Sequence, residues 1–332
     1  MSTIDCIASV GAGRMGRGIA LSFAFAGLPV RLIDLKEREA GEAEQLFADA
    51  RSELRADLAL MQRLDLLDAD QAAGIEALVS YVDHKGAAEA LQVPLIFEGV
   101  PERMDAKRDC LTFVGRHAPA EAIVASTTST FLVTELAGLI THPERFLNAH
   151  WLNPAHLMPL VEISRSALTS DAVVERLSDT LKAMGKVPVV CGPAPGYIVP
   201  RIQALAMNEA ARIVEEGIAT AEAVDLAVRT GFGLRFAVLG LLEFIDWGGG
   251  DILYYASRYL SSELGERYRA PEIVERNMHE GRNGLRDGEG FYDWKSSDVA
   301  AYRERRLGDF SRMLTHAGLL PQPGAARAIE RP

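Results

Sequence analysis

The sequence predicts an α/β protein, a doubly wound and mainly parallel sheet followed by an all-α C-terminal domain, on three observations. Short apolar runs alternate with helix-like stretches from residue 4 to residue 190. A glycine-rich turn separates the first apolar run from the first helix-like one. Beyond the breaker CGPAPG at 191–196, long helix-like runs follow with no clear strand alternation. Strand, helix, strand repetition is the pattern of a parallel sheet covered on both faces.

Strand-like runs lie at 4–10, 30–33, 95–97, 123–125, 146–150, 160–163 and 187–190. Between them, 19–26, 106–116 and 171–184 read as helices, and 37–70, rich in Ala, Leu, Glu and Arg without proline, reads as long amphipathic helix. The breaker places a domain boundary that gives one domain over 1–192 and a second over 195–332. The second opens on a helix of about twenty residues near Pro200, where a first turn tolerates proline. Further helices are expected around 221–229, 239–247, 252–263, 273–280 and 300–314, with a frayed tail over 321–332.

At 332 residues, two domains are the natural division. Apolar content of 48% and charged content of 24% are those of an ordinary folded protein. The net charge of −11, with no basic patch, argues against nucleic acid and anionic lipid as partners. The opening MSTIDCIASV has neither a basic leader nor a long apolar run, and the apolar run 236–242 is too short to cross a bilayer. A soluble cytoplasmic protein without membrane contact is expected. Cys6, Cys110 and Cys191 are far apart and form no CxxC pair, which predicts buried thiols, no disulfide and no metal site.

GAGRMG at 11–16 sets Gly11, Gly13 and Gly16 between a strand and a helix, with Arg14 and Met15 inside the motif and Asp34 closing the next strand eighteen residues on. Glycine allows the sharp turn and the close backbone approach to a pyrophosphate, whose charge the helix N-terminus meets. Asp34 can accept from a ribose hydroxyl and would repel a 2′-phosphate, so the cofactor predicted on a Rossmann-type domain is NAD, although Lys36 and Arg38 partly offset that charge. The bland alternative is a tight turn with a surface aspartate.

A nicotinamide enzyme needs a group that takes the hydroxyl proton as the C–H bond breaks, and histidine held by a carboxylate suits that task. HWLNPAHLMPLVEI at 150–163 keeps His150 and Glu162 in an otherwise apolar stretch. If 146–150 and 160–164 pair as antiparallel strands with His150 opposite Leu160, Glu162 shares the face of His150 diagonally, at about 7 Å between Cβ atoms. His150 alone would read as a core or surface histidine; a carboxylate in an apolar strand demands a partner.

With these residues and several further motifs in order, the chain resembles the L-3-hydroxyacyl-CoA dehydrogenase family to about residue 295. The motifs are FEGVPE at 97–102 with Lys107, ASTTST at 125–130, HWLNP at 150–154, LVEI at 160–163, PGYIVPR at 195–201 and GEGFYDW at 288–294. The resemblance implies that His150 removes the 3-hydroxyl proton, Glu162 orients it and Ser129 hydrogen-bonds the substrate. It further implies that Asn153, Glu102 and Lys107 line the cofactor end of the cleft and that the helical domain forms a homodimer. Ser129 would serve equally as a helix cap, and Glu102 with Lys107 as a surface pair.

Three departures concern substrate. Pro200 stands where the CoA-using enzymes have Asn, and Pro159 where they have Lys. GFGLRFAVLG at 231–240 replaces their usual turn and looks like the branch acting on carnitine, gulonate or pyridine-ring substrates. The acidic 37–76 segment would serve an anionic CoA tail poorly, though Arg51, Arg55 and Arg63 remain. Arg235 in the altered turn could grip a free carboxylate, or close a helix or interface. The expectation is an NAD-dependent dehydrogenase of a 3-hydroxy group, leaning to a small carboxylate over an acyl-CoA. A non-catalytic, crystallin-like or nucleotide-sensing protein is the alternative from another class, and retention of His150 and Glu162 counts against it. The 3-hydroxyisobutyrate and 6-phosphogluconate type relies on a GxxGxGxxxK helix that this chain lacks.

Overall fold

The computed structural model describes residues 4–321 and 323 and divides into two compact units between Ala206 and Met207. The first unit is built on an eight-stranded sheet: β1 (Ile7–Val10), β2 (Val30–Ile33), β3 (Val79–Val82), β4 (Leu95–Glu98), β5 (Ile123–Ser126), β6 (Phe146–Trp151), β7 (Leu160–Ser164) and β8 (Val187–Cys191). Their order across the sheet is β3-β2-β1-β4-β5-β6-β7-β8, all neighbours parallel except the antiparallel pair β6 and β7. The order reverses between β1 and β4, and the carboxyl ends of those strands open the crevice where such sheets bind nucleotides.

β1, β4, β5 and β6 are buried along their whole length, which is why they read as mainly apolar runs. Two apolar clusters cover the faces of the sheet. One packs Ile7, Leu32, Phe97 and Ala125 under the helix Arg14–Phe25, with Phe23, Phe97 and Trp151 in mutual ring contact at 5.3 to 6.1 Å. The other packs Val10, Ile33, Ile96 and Val124 under the helix Met104–His117.

Four expectations need correcting. The strand β3 lay unrecognised in VSYV, because at the sheet edge only Val79 is fully buried and the apolar run is too short to stand out. The single helix read over 37–70 is two, Ala40–Arg63 and Ala69–Ala77, since Asp68 and Gln71 form a reciprocal capping box that starts the second. GFGLRFAVLG is not a turn: a π turn at Val228–Phe232 joins the helix Ala221–Ala227 to the helix Gly233–Val238, and Arg235 lies in that last helix. Of the cysteines, only Cys110 is buried; Cys6 and Cys191 are partly exposed, and burial pushes all three thiols up. The frayed tail expected over 321–332 falls, apart from Pro321 and Pro323, outside the described residues.

The second unit is helical. Its GEGFYDW motif is pinned by the buried Asp246, whose carboxylate accepts from the amides of Phe291 and Tyr292, both at 2.9 Å, and from the Trp294 indole at 2.8 Å. A β-carbon at Gly290 would lie 2.2 Å from that carboxylate, so only glycine lets the motif close on it. No described helix is long and apolar enough to cross a membrane.

Candidate active site

The nucleotide crevice begins where β1 ends. Gly11 has φ of +105°, and a β-carbon there would meet the Gly99 carbonyl at 2.7 Å. At Gly16 a β-carbon would stand 1.8 Å from the Gly11 carbonyl oxygen, so the helix Arg14–Phe25 can approach the loop only through glycine. Gly13 differs: its backbone is extended, and an added β-carbon meets nothing within 4 Å. That open space sits at a helix N-terminus with no side-chain cap, the place a pyrophosphate takes. A groove of about 1050 Å³ runs from these glycines and Arg14 to Asp34. The Asp34 carboxylate accepts from Arg38 Nε at 2.6 Å, so the Arg38 guanidinium is engaged by a carboxylate rather than free to hold a phosphate.

A second group of charges joins the groove to the catalytic end. Lys107 is fully buried and bridges Glu98, at 3.1 and 3.2 Å, and Glu102, at 3.1 Å. It is therefore no surface partner of Glu102, and it reaches the cleft only through that carboxylate. Glu102 also accepts from the amides of Ser129 and Thr130, each at 3.0 Å, and from the hydroxyls of Thr130, at 2.7 Å, and Thr128. Burial alone would raise its carboxyl; the Thr128 and Thr130 hydroxyls and the Lys107 ammonium outweigh it and hold the pKa at about 2.

This shift carries a pH signature. A folded-state pKa below the ordinary 4.5 contributes stability that is complete above that pH and fades as pH falls toward about 2. Glu102→Gln is expected to lower the thermal midpoint by a few degrees at pH 7, the deficit shrinking over that acid window. A deficit that stays constant across it in thermal melts would contradict the assignment.

β6 and β7 carry the catalytic candidates. They pair antiparallel, but with His150 directly opposite Glu162 instead of Leu160. The shift is two residues, which preserves the face, and it replaces a diagonal approach by a direct one. His150 Nδ1 stands 2.9 Å from Glu162 Oε2. Glu162 is 0% exposed, and its other oxygen accepts from the amides of Ile198, at 2.9 Å, and Val199, at 2.8 Å, at the start of the helix Val199–Glu215. Both oxygens of this buried carboxylate thus have hydrogen-bond partners, as burial of a polar group requires.

His150, Ser129, Glu102 and Asn153 line one cleft of about 490 Å³ with Arg14, Met15, Pro200 and Gln203. Ser129 does not cap the next helix, Val133–Ala137, whose N-cap is Leu132. Asn153 follows β6 in a loop held by the buried Lys186, which donates to the carbonyls of Ala155, at 2.7 Å, and Met158, at 2.9 Å. Asp34 lies at the far end of the nucleotide groove, and Arg235 belongs to the second unit.

Comparison with known proteins decides the family. Residues 6–194 match the family described as 3-hydroxyacyl-CoA dehydrogenase, NAD binding domain, and residues 196–294 match the corresponding C-terminal domain. The chain belongs to the 3-hydroxyacyl-CoA dehydrogenase family. It is 30% identical over 312 residues to the 5-formyl-3-hydroxy-2-methylpyridine 4-carboxylate 5-dehydrogenase of Mesorhizobium japonicum, covering 93% of this chain and 97% of that one. It is 31% identical to a probable 3-hydroxybutyryl-CoA dehydrogenase of Bacillus subtilis, covering 88% and 98%. Among solved structures, a 3-hydroxyacyl-CoA dehydrogenase from Archaeoglobus fulgidus superposes with a TM-score of 0.73 at 30% identity, covering 94% of this chain and 99% of that one. As a member of this family, the protein is an NAD-dependent oxidoreductase acting on CH–OH groups.

Sequence reasoning missed several residues that the fold of this 3-hydroxyacyl-CoA dehydrogenase relative brings to the site. Thr128 and Thr130 were read only as part of ASTTST, yet they fix Glu102. Glu98 was read only within FEGVPE, and its burial beside Lys107 has no signal in sequence. Gln203 sits one helical turn beyond Pro200 on the same cleft, and the i, i+3 spacing could have flagged it. Tyr197, which stacks on His150, was read only as part of a motif.

Proposed function

We propose that the enzyme oxidises the 3-hydroxyl of a small 3-hydroxy carboxylate to the 3-keto product and works as a cytoplasmic homodimer. The observation that carries the chemistry is the buried His150–Glu162 pair on the wall of the cleft. Gly11, Gly13 and Gly16 with Arg14, Met15 and Asp34 would hold NAD, and Glu102, Lys107 and Asn153 would shape its nicotinamide end, Lys107 acting through Glu102. Bound NAD supplies the hydride acceptor.

The chain's own residues handle the proton. Glu162 occupies Nδ1 of His150, which leaves Nε2 as the ring nitrogen that takes the 3-hydroxyl proton. The carboxylate then faces an imidazolium and stabilises it. Ser129, whose amide Glu102 holds, offers its hydroxyl to the substrate oxygen.

The carboxylate preference rests on cleft composition. Pro200 borders the cleft without a side-chain donor, and Arg14 is the one cation among the described residues lining it. Arg235 enters no ion pair among the described residues; its guanidinium lies over the Phe244 ring at 4.7 Å, and its position in the 231–240 segment of the sequence makes it our candidate contact for a substrate carboxylate. The Mesorhizobium relative is named for a pyridine carboxylate, which agrees with this reading. The Bacillus relative's name favours a second one, a 3-hydroxyacyl-CoA substrate. Initial rates of NADH formation across free 3-hydroxy acids and 3-hydroxybutyryl-CoA decide between them. Free acids are expected to win on kcat/KM, with Arg235→Ala raising their KM about tenfold or more. Efficient turnover of the thioester alone would overturn the preference.

The homodimer rests on the helix Val199–Glu215, which has no buried residue and exposes Leu205 and Met207 by 70% and 69%. Sedimentation is expected to give twice the 36.1 kDa of one chain, and Leu205→Glu with Met207→Glu is expected to shift it to one. A wild-type monomer would refute this part.

A further inference from the structure

Tyr197 is 6% exposed, and its ring lies parallel to the imidazole of His150, with centroids 4.8 Å apart and planes inclined by 13°. Its hydroxyl donates to the carbonyl of Thr128 at 2.7 Å. Thr128 is the residue whose own hydroxyl reaches Glu102, so one aromatic side chain links the histidine to the loop that carries Ser129. Its backbone is unusual as well: φ is +46°, directly after Gly196 at +77°. A non-glycine residue in this region is strained and persists where the surroundings over-determine it.

The consequence of that turn is specific. The two amides that follow, Ile198 and Val199, both point at Glu162, while the ring folds back over His150. One three-residue segment therefore holds the carboxylate by its backbone and the imidazole by its side chain. β6 and β7 fix the Cα positions of the pair, and the Glu162 contact pins Nδ1 of His150, but a single contact at one ring nitrogen leaves the imidazole plane able to tilt about it. An offset-parallel ring on its face removes that freedom.

We infer that Tyr197 is a positioning residue that fixes the plane of His150 through its ring and registers the Ser129 loop against that plane through its hydroxyl. The inference rests on the reading of His150 as the base. It differs from a plain packing role in that the ring and the hydroxyl have separable effects on turnover and on substrate affinity.

Two substitutions separate them. Tyr197→Asn removes the ring with a residue that accepts positive φ, and Tyr197→Phe keeps the ring and loses the hydroxyl. In steady-state NADH assays at a temperature where the variant is folded, Tyr197→Asn is expected to lower kcat by about tenfold to a hundredfold, the cost of a misaligned catalytic group, with the Kd for NAD little changed and the thermal midpoint lowered by loss of the buried ring. Tyr197→Phe is expected to recover kcat to within about threefold while raising substrate KM by a similar factor, as a lost neutral hydrogen bond does. His150→Ala is assayed alongside. An inactive His150→Ala beside a Tyr197→Asn with wild-type kcat overturns this inference alone, as does a Tyr197→Phe as impaired as Tyr197→Asn. An active His150→Ala overturns the reading of the base itself. If Tyr197→Asn does not fold, Tyr197→Phe with unchanged KM still refutes the role of the hydroxyl.

Discussion

His150→Ala is expected to lower kcat by about a thousandfold or more while leaving the Kd for NAD within about twofold of wild type. The separation follows from where the residue stands. His150 lies on β6 beside the cleft, whereas the glycine turn and Asp34, which line the neighbouring groove, follow β1 and β2. Removing the imidazole also leaves Glu162 buried with one oxygen unpaired, the other being held by Ile198 and Val199. That carboxylate loses its side-chain partner, and a penalty of about 1–3 kcal/mol in stability accompanies the loss of turnover. Stopped-flow NADH formation, fluorescence titration of NAD and a thermal melt read the three effects separately. Wild-type turnover in a folded His150→Ala would remove the base from the account.

The glycine loop gives the other large effect, and there the contrast between two substitutions matters more than either alone. Gly13→Ala is expected to fold normally, since the backbone is extended and a β-carbon meets nothing within 4 Å, yet to weaken NAD about tenfold to a hundredfold. The methyl fills the space through which the backbone amides meet the pyrophosphate. Gly16→Ala is expected to lose both stability and binding, because the methyl would stand 1.8 Å from the Gly11 carbonyl oxygen and one element must move. Titration calorimetry with thermal melts distinguishes them. Equal damage to stability by both changes would mean that Gly13 serves the fold rather than the cofactor.

What could be read in advance followed the physics of burial. β1, β4, β5 and β6 are covered on both sides and announce themselves as apolar runs; β3, half-exposed at the edge, does not. Glu162 in an apolar strand pointed to His150 because an unpartnered buried carboxylate is costly. The period of two placed both on one face, but alternation is blind to a slide of two residues, so the register stayed out of reach. The break after Arg63 was legible in principle, since Asp68 and Gln71 have capping-box spacing, and the helical run dominated the reading instead. Lys107 and Tyr197 were opaque for another reason. The burial of the one between Glu98 and Glu102, and the stacking of the other on His150, exist only once separate strands and turns converge.

The central claim is that His150 and Glu162 act as one unit in removing the hydroxyl proton, and a double-mutant cycle on NADH formation addresses it directly. Glu162→Gln keeps the shape of the side chain but forces an amide into a position that accepts from Ile198, Val199 and His150 together, so kcat is expected to fall about a hundredfold. If the pair works as a unit, the double variant Glu162→Gln with His150→Ala is no slower than His150→Ala alone, because the carboxylate has nothing left to orient. Independent effects that multiply in the double variant would contradict the account.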